Sequence, residues 1–126
     1  MINMNKNEII EKLKKSNLDK NEIIVISGAS LVVHDIINDT EDIDLICTKE
    51  YYEMINWKKK KGFFNIDIKY YDVFEISNNL YDEYKNYYDL IDGYKFMNLN
   101  SCLDLKRKMN REKDKNVIKI LEKKIK

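Results

Sequence analysis

The sequence predicts an α/β fold, in which a small mixed β-sheet is flanked by helices and followed by a C-terminal helical pair. Runs of β-branched and aromatic residues indicate strands at 23–26, at 42–47 and within 63–77, the last divided in two near Tyr71-Asp72. Apolar residues at helical spacing indicate a first helix at 6–15, with Asn5 as its N-cap, and further helices near the C-terminus. These segments predict a sheet covered by helices.

Length and composition indicate a single domain over residues 1–126, with a core over about 20–98 and a C-terminal helical segment over about 99–126. Hydrophobic residues make up 44% and charged residues 36%, which is typical of a soluble globular protein. The net charge of +1 gives no overall attraction to nucleic acid or to an anionic membrane. We expect no membrane partner and no signal peptide, and we expect Cys47 and Cys102 to be buried, reduced thiols of a cytoplasmic protein.

The segment from 23 to 48 organises the rest of the chain. It contains a hydrophobic strand (23–26), a tight turn (27–30), a short apolar helix (31–37), a polar loop (38–41) and a second strand (42–47). Gly28 has no Cβ, so a phosphate can approach the backbone of the turn, and the helix that follows offers unpaired N–H groups. The turn is therefore a candidate phosphate-binding site.

The second strand opens with two acids on one face. Residues two apart in a strand project to the same side, with Cα atoms roughly 6.5–7 Å apart, so Asp42 and Asp44 lie together while Ile43 and Leu45 face a core. Two such carboxylates repel each other unless a cation lies between them, and Mg²⁺ is the hard cation that prefers oxygen ligands. A phosphate site beside an Asp-x-Asp pair suits the transfer of a nucleotidyl group.

This segment resembles the signature of the nucleotidyltransferase superfamily that includes DNA polymerase beta. Within that superfamily it is most similar to the small bacterial and phage type, including minimal nucleotidyltransferases and abortive-infection toxins. The positions that carry the resemblance keep their register without a gap; they are Ser27, Gly28, Leu31, His34, Thr40, Asp42 and Asp44. In this segment the chain departs from the family pattern at three positions, which are Ser27 for a Gly, Asp35 for a Gly and Asn38 for an Arg, and Glu41 adds a negative charge just before the pair.

The resemblance implies an Mg²⁺-dependent nucleotidyltransferase that moves a nucleoside monophosphate from an NTP such as ATP to a hydroxyl acceptor. The acceptor would be a protein, an RNA end or a small molecule. Asp42 and Asp44 would hold one or two Mg²⁺ ions, and Ser27 and Gly28 would bind phosphates. His34 is expected to be structural, bracing the loop before the acidic pair.

The family also needs a third carboxylate on a neighbouring strand, as a metal ligand and as the base that activates the acceptor. The candidates are Asp67, Asp72 and Glu75, of which Asp72 and Glu75 are favoured. In the tail, which resembles the C-terminal segment of the family, Lys106 and Arg111 would neutralise the triphosphate.

Two other interpretations remain open. The missing arginine and the extra acids favour a catalytically weak or inactive nucleotidyltransferase-like binding module, such as an antitoxin or a phage accessory protein with a protein partner. A nuclease is the third interpretation, because Asp67-Ile68-Lys69 fits an acid-x-Lys element.

The connecting segments complete the prediction. Thr48 is expected to cap a helix that runs to about residue 60, where four lysines favour the helix C-terminus and Gly62 ends it. Residues 78–92 are expected to form a loop with a helical turn. Gly93 introduces a strand at 94–97, and Ser101 is expected to cap a helix that breaks near Asn110-Arg111 before a last helix.

Overall fold

The computed structural model describes residues 3–55, 58–61 and 67–125, with 58–61 and 67–71 described by their backbone alone. Six α-helices lie within these residues, namely α1 (Lys6–Lys15), α2 (Ser27–Val33), α3 (Lys49–Met54), α4 (Tyr81–Tyr84), α5 (Leu99–Met109) and α6 (Lys115–Ile125), and a 3₁₀ helix (Glu112–Asp114) precedes α6. Seven strands lie within them, namely β1 (Ile23–Ile26), β2 (Ile43–Cys47), β3 (Lys58–Lys61), β4 (Asp67–Tyr71), β5 (Phe74–Ser77), β6 (Tyr88–Ile91) and β7 (Tyr94–Met97).

The seven strands form one mixed sheet in the order β3-β4-β5-β2-β1-β7-β6. Strands β2 and β5 are parallel, as are β1 and β7, and the other neighbouring pairs are antiparallel. The α/β fold with a mixed sheet and a C-terminal helical pair is confirmed. No helix within the described ranges has the length and apolar character needed to cross a bilayer.

The sheet separates two hydrophobic cores, because successive side chains of a strand point to opposite faces. On one face, Ile23 and Val25 of β1 pack with Leu45 of β2 and with Ile9 and Leu13 of α1. On the other face, the core is completed by α5 and α6; its buried members include Ile24, Ile26, Ile46, Leu105 and Leu121. The candidate site lies on this second face, at the end of β1 and the beginning of β2.

Capping residues mark where the helices begin and end. Asn5 caps α1 as expected, since its side chain accepts a hydrogen bond from the Glu8 N–H at 3.0 Å and Glu8 returns one to the Asn5 N–H. The predicted cap at Ser101 was wrong, because α5 begins after Asn98, whose side-chain oxygen accepts from the Ser101 N–H at 2.9 Å. The break near Asn110 is confirmed, since this residue ends α5 in the left-handed conformation with φ 49°.

The helix expected from Thr48 to about 60 was wrong in its second half. Thr48 caps α3 as predicted, but α3 ends at Met54, and the four lysines form β3. Strand β3 pairs antiparallel with β4, with Lys58 opposite Tyr70. Pairing along β4 therefore overrides the helix propensity of lysine, and lysines are common on exposed sheet edges. Gly62 lies outside the described residues.

Two further expectations about loops were wrong. The turn and the helix expected at 27–30 and 31–37 are one element, since α2 begins directly at Ser27 and ends at Val33. The end of the loop expected at 78–92 is strand β6, which forms a hairpin with β7. Its turn, Asp92-Gly93, has positive φ at both residues (54° and 85°), as type I′ hairpins require.

Candidate functional site

Three neighbouring strands place the acids of the site in one row. Ile26 at the end of β1 lies opposite Asp44 of β2, and Asp44 lies beside Glu75 of β5 in the parallel pair. Asp44 and Glu75 therefore share a face of the sheet, since adjacent residues in register project to the same side. Asp42 comes two residues before Asp44, just ahead of β2, and interacts electrostatically with both.

We name Asp42, Asp44 and Glu75 the carboxylate cluster. Burial is the main cause that raises the pKa of Asp44 well above its ordinary value, and a side-chain hydrogen bond with Glu75 and then the charge of Glu75 raise it further. The pKa of Asp42 is raised by partial desolvation, then by the charges of Glu75 and Glu41, and Lys113 opposes this shift. The cluster therefore concentrates negative charge that is costly to keep in the absence of a cation.

One oxygen of the cluster has no hydrogen-bond partner. Asp44 Oδ1 is buried and receives no hydrogen bond from any described residue. No group of three or more His, Cys, Asp and Glu side chains within the described ranges forms a ready metal cage. Mg²⁺ does not need one, because it is usually bound by one or two carboxylates while substrate phosphates and water complete its octahedron. A buried carboxylate oxygen without a partner, next to a second acid, fits such a partial set of ligands.

The turn beside the cluster is built around Ser27, Gly28 and Thr40. Ser27 is buried and takes φ 57°, a left-handed conformation that costs an L-residue roughly 1–2 kcal/mol. Gly28 lies in the first turn of α2, and a Cβ there would meet Thr40 Oγ1 at 2.8 Å. Thr40 Oγ1 in turn donates to the backbone oxygen of Asp42 at 3.4 Å. Gly28 is therefore needed for the close approach of the loop that positions Asp42.

A buried ion-pair group contacts the turn at Ser27; we define it as Lys106, Arg111 and Asp114. Lys106 is 7% exposed, and its Nζ donates to Asp114 Oδ1 at 3.1 Å and to Ser27 Oγ at 3.4 Å. Arg111 Nε donates to Asp114 Oδ2 at 2.6 Å. The positive charge of Lys106 also acts on Asp44, whose pKa it lowers against the larger effects of burial and Glu75.

The structure thus brings together seven of the eight predicted site residues and leaves Asp72 elsewhere. Asp72 lies in the turn between β4 and β5 with φ 54°, and its Oδ2 accepts from Lys12 Nζ of α1 at 2.6 Å. Asp67 begins β4, whereas the β4 residue opposite Glu75 is Tyr70. Glu75 is the candidate third carboxylate that shares a face with Asp44.

His34 makes structural hydrogen bonds, but to Ser30 and Asp89 and not to the loop before the acidic pair that it was expected to brace. Its Nδ1 lies 2.8 Å from the backbone oxygen of Ser30, one turn earlier, and its Nε2 lies 2.8 Å from Asp89 Oδ2 of β6. The imidazole therefore ties the end of α2 to an edge strand of the sheet. It does not belong to the carboxylate cluster.

Sequence reasoning gave no separate role to Asp114 and Lys113. Asp114 is the common partner of the two cations, and Lys113 lies close enough to Asp42 to lower its pKa. The spacing of Arg111 and Asp114, three residues apart next to a helix start, is the one sequence signal that could have indicated their pairing.

Comparison with known proteins gives one partial similarity. A protein of Dictyostelium discoideum described as a probable inactive serine/threonine-protein kinase is 30% identical over 105 residues, which cover 79% of this chain and 19% of that protein. The chain thus spans about one fifth of the length of this relative. No protein-family model matches the chain, and no solved structure matches it.

Proposed function

We propose that this chain is an Mg²⁺-dependent nucleotidyltransferase that moves a nucleoside monophosphate from an NTP to a hydroxyl acceptor. The observation that carries the proposal is the carboxylate cluster, in which Asp44 has a buried oxygen without a partner and Asp42 and Asp44 have raised pKa values. Carboxyl groups that are buried close to one another favour the binding of a cation. The turn at Ser27 and the cation Lys106 adjoin them, where phosphates would bind.

In the proposed reaction, the acceptor oxygen attacks the α-phosphorus of the NTP, the bond to the bridging oxygen breaks, and pyrophosphate leaves. Glu75 would accept the proton of the acceptor hydroxyl, while Asp42 and Asp44 would hold the metal. Bound Mg²⁺ would neutralise the phosphate oxygens and stabilise the leaving group. Ser27 Oγ and Lys106 Nζ would orient the phosphates, and Arg111 would add positive charge.

The test is thermal unfolding with each NTP in the presence of Mg²⁺, combined with release of pyrophosphate. We expect NTP to raise the Tm of the wild type and to have no effect on Asp42→Asn/Asp44→Asn. The matched control is Asp35→Asn/Asp39→Asn, which removes two exposed charges from the adjacent loop and should retain the effect. A wild type that no NTP stabilises contradicts the proposal, as does equal stabilisation of the Asp42→Asn/Asp44→Asn variant.

A second candidate function is a binding module that holds a nucleotide or a protein partner, of the antitoxin or phage accessory kind, without turnover. The favouring observation is that Asp114 already neutralises Lys106 and Arg111, the two cations expected to face a triphosphate. Stabilisation by NTP without release of pyrophosphate would support this function over catalysis.

A further inference from the structure

Positive charge is concentrated at the C-terminal end of the chain. Residues 99–126 carry ten Lys and Arg and four Asp and Glu, a net charge of +6, whereas residues 1–98 carry 13 and 18, a net charge of −5. The overall charge of +1 thus conceals two regions of opposite sign. Such asymmetry indicates a surface that attracts anions.

The cations of α6 face away from the sheet. Leu121 is fully buried in the second core, with Val117, Ile118 and Ile125 packed against it, so one side of the helix is occupied. Within residues 99–125, the exposed lysines that form no ion pair with a described residue are Lys113, just before the helix, and Lys119, Lys123 and Lys124 on it. We name these four residues the basic stripe.

The basic stripe starts at the carboxylate cluster. Lys113 interacts with Asp42, and the next residue, Asp114, belongs to the ion-pair group that contacts Ser27 through Lys106. From Lys115 to Lys124 the helix leads away over roughly 14 Å, at 1.5 Å per residue. Lys119 and Lys123 are one turn apart on the same side, about 6 Å along the axis. A linear polyanion could therefore follow the stripe with one end at the cluster.

The composition of this surface favours one kind of polyanion. A membrane-binding helix needs an exposed apolar face, but the apolar side of α6 is packed and Ile120 is its one large hydrophobic residue that is markedly exposed, at 45%. Protein interfaces are depleted in lysine. Lysines spread along a surface suit the evenly spaced phosphates of a nucleic acid. The 3′ end of an RNA strand also offers two hydroxyls, on the 2′ and 3′ carbons, as acceptors.

We propose that the basic stripe binds the phosphates of an RNA strand and directs its terminal ribose to the carboxylate cluster. The role of the RNA as acceptor rests on the proposed nucleotidyl transfer, whereas the binding of RNA to the basic stripe does not. The terminal hydroxyl would take the nucleoside monophosphate with loss of pyrophosphate, as written above.

The test is fluorescence anisotropy of a labelled single-stranded RNA of about twenty nucleotides, measured over a range of salt concentrations. The test variant is Lys119→Gln/Lys123→Gln/Lys124→Gln, and the charge-matched control is Lys6→Gln/Lys20→Gln/Lys49→Gln, three exposed lysines outside α5 and α6. We expect the test variant to lose at least about tenfold in affinity at low salt and its salt slope to fall by about 2, while the control stays near the wild type.

Parallel arms use DNA of the same sequence and vesicles of phosphatidylcholine with phosphatidylserine. The proposal is overturned if the wild type does not bind the RNA, if the two triple variants weaken equally, or if DNA or the vesicles bind more tightly than RNA. Thermal shifts with Mg²⁺ and NTP on the same samples separate the two proposals. RNA binding without an NTP-dependent rise in Tm would support the basic stripe as an RNA-binding surface and contradict the proposed nucleotidyl transfer. A rise in Tm with NTP but no RNA binding would support nucleotidyl transfer and contradict the RNA-binding surface.

Discussion

The carboxylate cluster and the buried ion-pair group are adjacent, yet their charges are balanced in opposite ways. In the ion-pair group, Asp114 receives hydrogen bonds from Lys106 and Arg111, so the buried charges are matched within the chain. In the cluster, Asp44 lies against another acid and keeps a buried oxygen without a partner. Matched charges hold a structure together, whereas unmatched ones are costly unless a ligand supplies the missing charge. The difference indicates which of the two regions is built to bind.

The largest expected effect comes from breaking the matched group. Asp114→Asn leaves Lys106 buried without its counter-charge and should lower the free energy of unfolding by about 3 kcal/mol. Urea unfolding followed by circular dichroism measures the change. The control is Glu122→Gln, which breaks the exposed pair of Arg107 Nη2 and Glu122 Oε2 at 2.6 Å and should cost less than about 1 kcal/mol. Equal losses in the two variants would show that the buried group is not a structural anchor.

A smaller effect is expected where the two regions meet. Gly28→Ala would place a Cβ 2.8 Å from Thr40 Oγ1, so the loop must shift, at a cost of about 1–3 kcal/mol. The same shift should move Asp42 and weaken the NTP-dependent rise in Tm. Adding Thr40→Ala removes the clashing oxygen, and the double variant should be less destabilised than the sum of the single ones. Strict additivity would contradict the assigned contact.

Local sequence patterns were sufficient for β1, β2 and the acidic pair, because short hydrophobic runs, alternation and turn residues act over a few positions. These patterns failed where the secondary structure or the site depends on pairing between segments that are distant in the sequence. The lysines at 58–61 have good helix propensity, but pairing with β4 makes them a strand. The neighbour of Asp44 could not be chosen between Asp72 and Glu75, because parallel pairing of β2 with β5 depends on register. The ion pairs of Asp114 with Lys106 and Arg111 likewise depend on how α6 packs against α5.

The most direct test of the unmatched cluster is the free energy of unfolding of the wild type and of Asp44→Asn, measured from about pH 4 to 8 with and without Mg²⁺. Since the pKa of Asp44 is raised in the folded state, the folded chain binds that proton more tightly than the unfolded chain. Stability of the wild type should therefore fall as the pH rises above the ordinary pKa of Asp, near 4, relative to the isosteric variant.

At about pH 7 without Mg²⁺, we expect Asp44→Asn to be the more stable chain, and Mg²⁺ to stabilise the wild type alone. The two chains share all other titrating groups, so the difference between their free energies of unfolding isolates the contribution of Asp44. Parallel pH curves for the two chains, together with no effect of Mg²⁺ on either, would contradict a cation site at the carboxylate cluster.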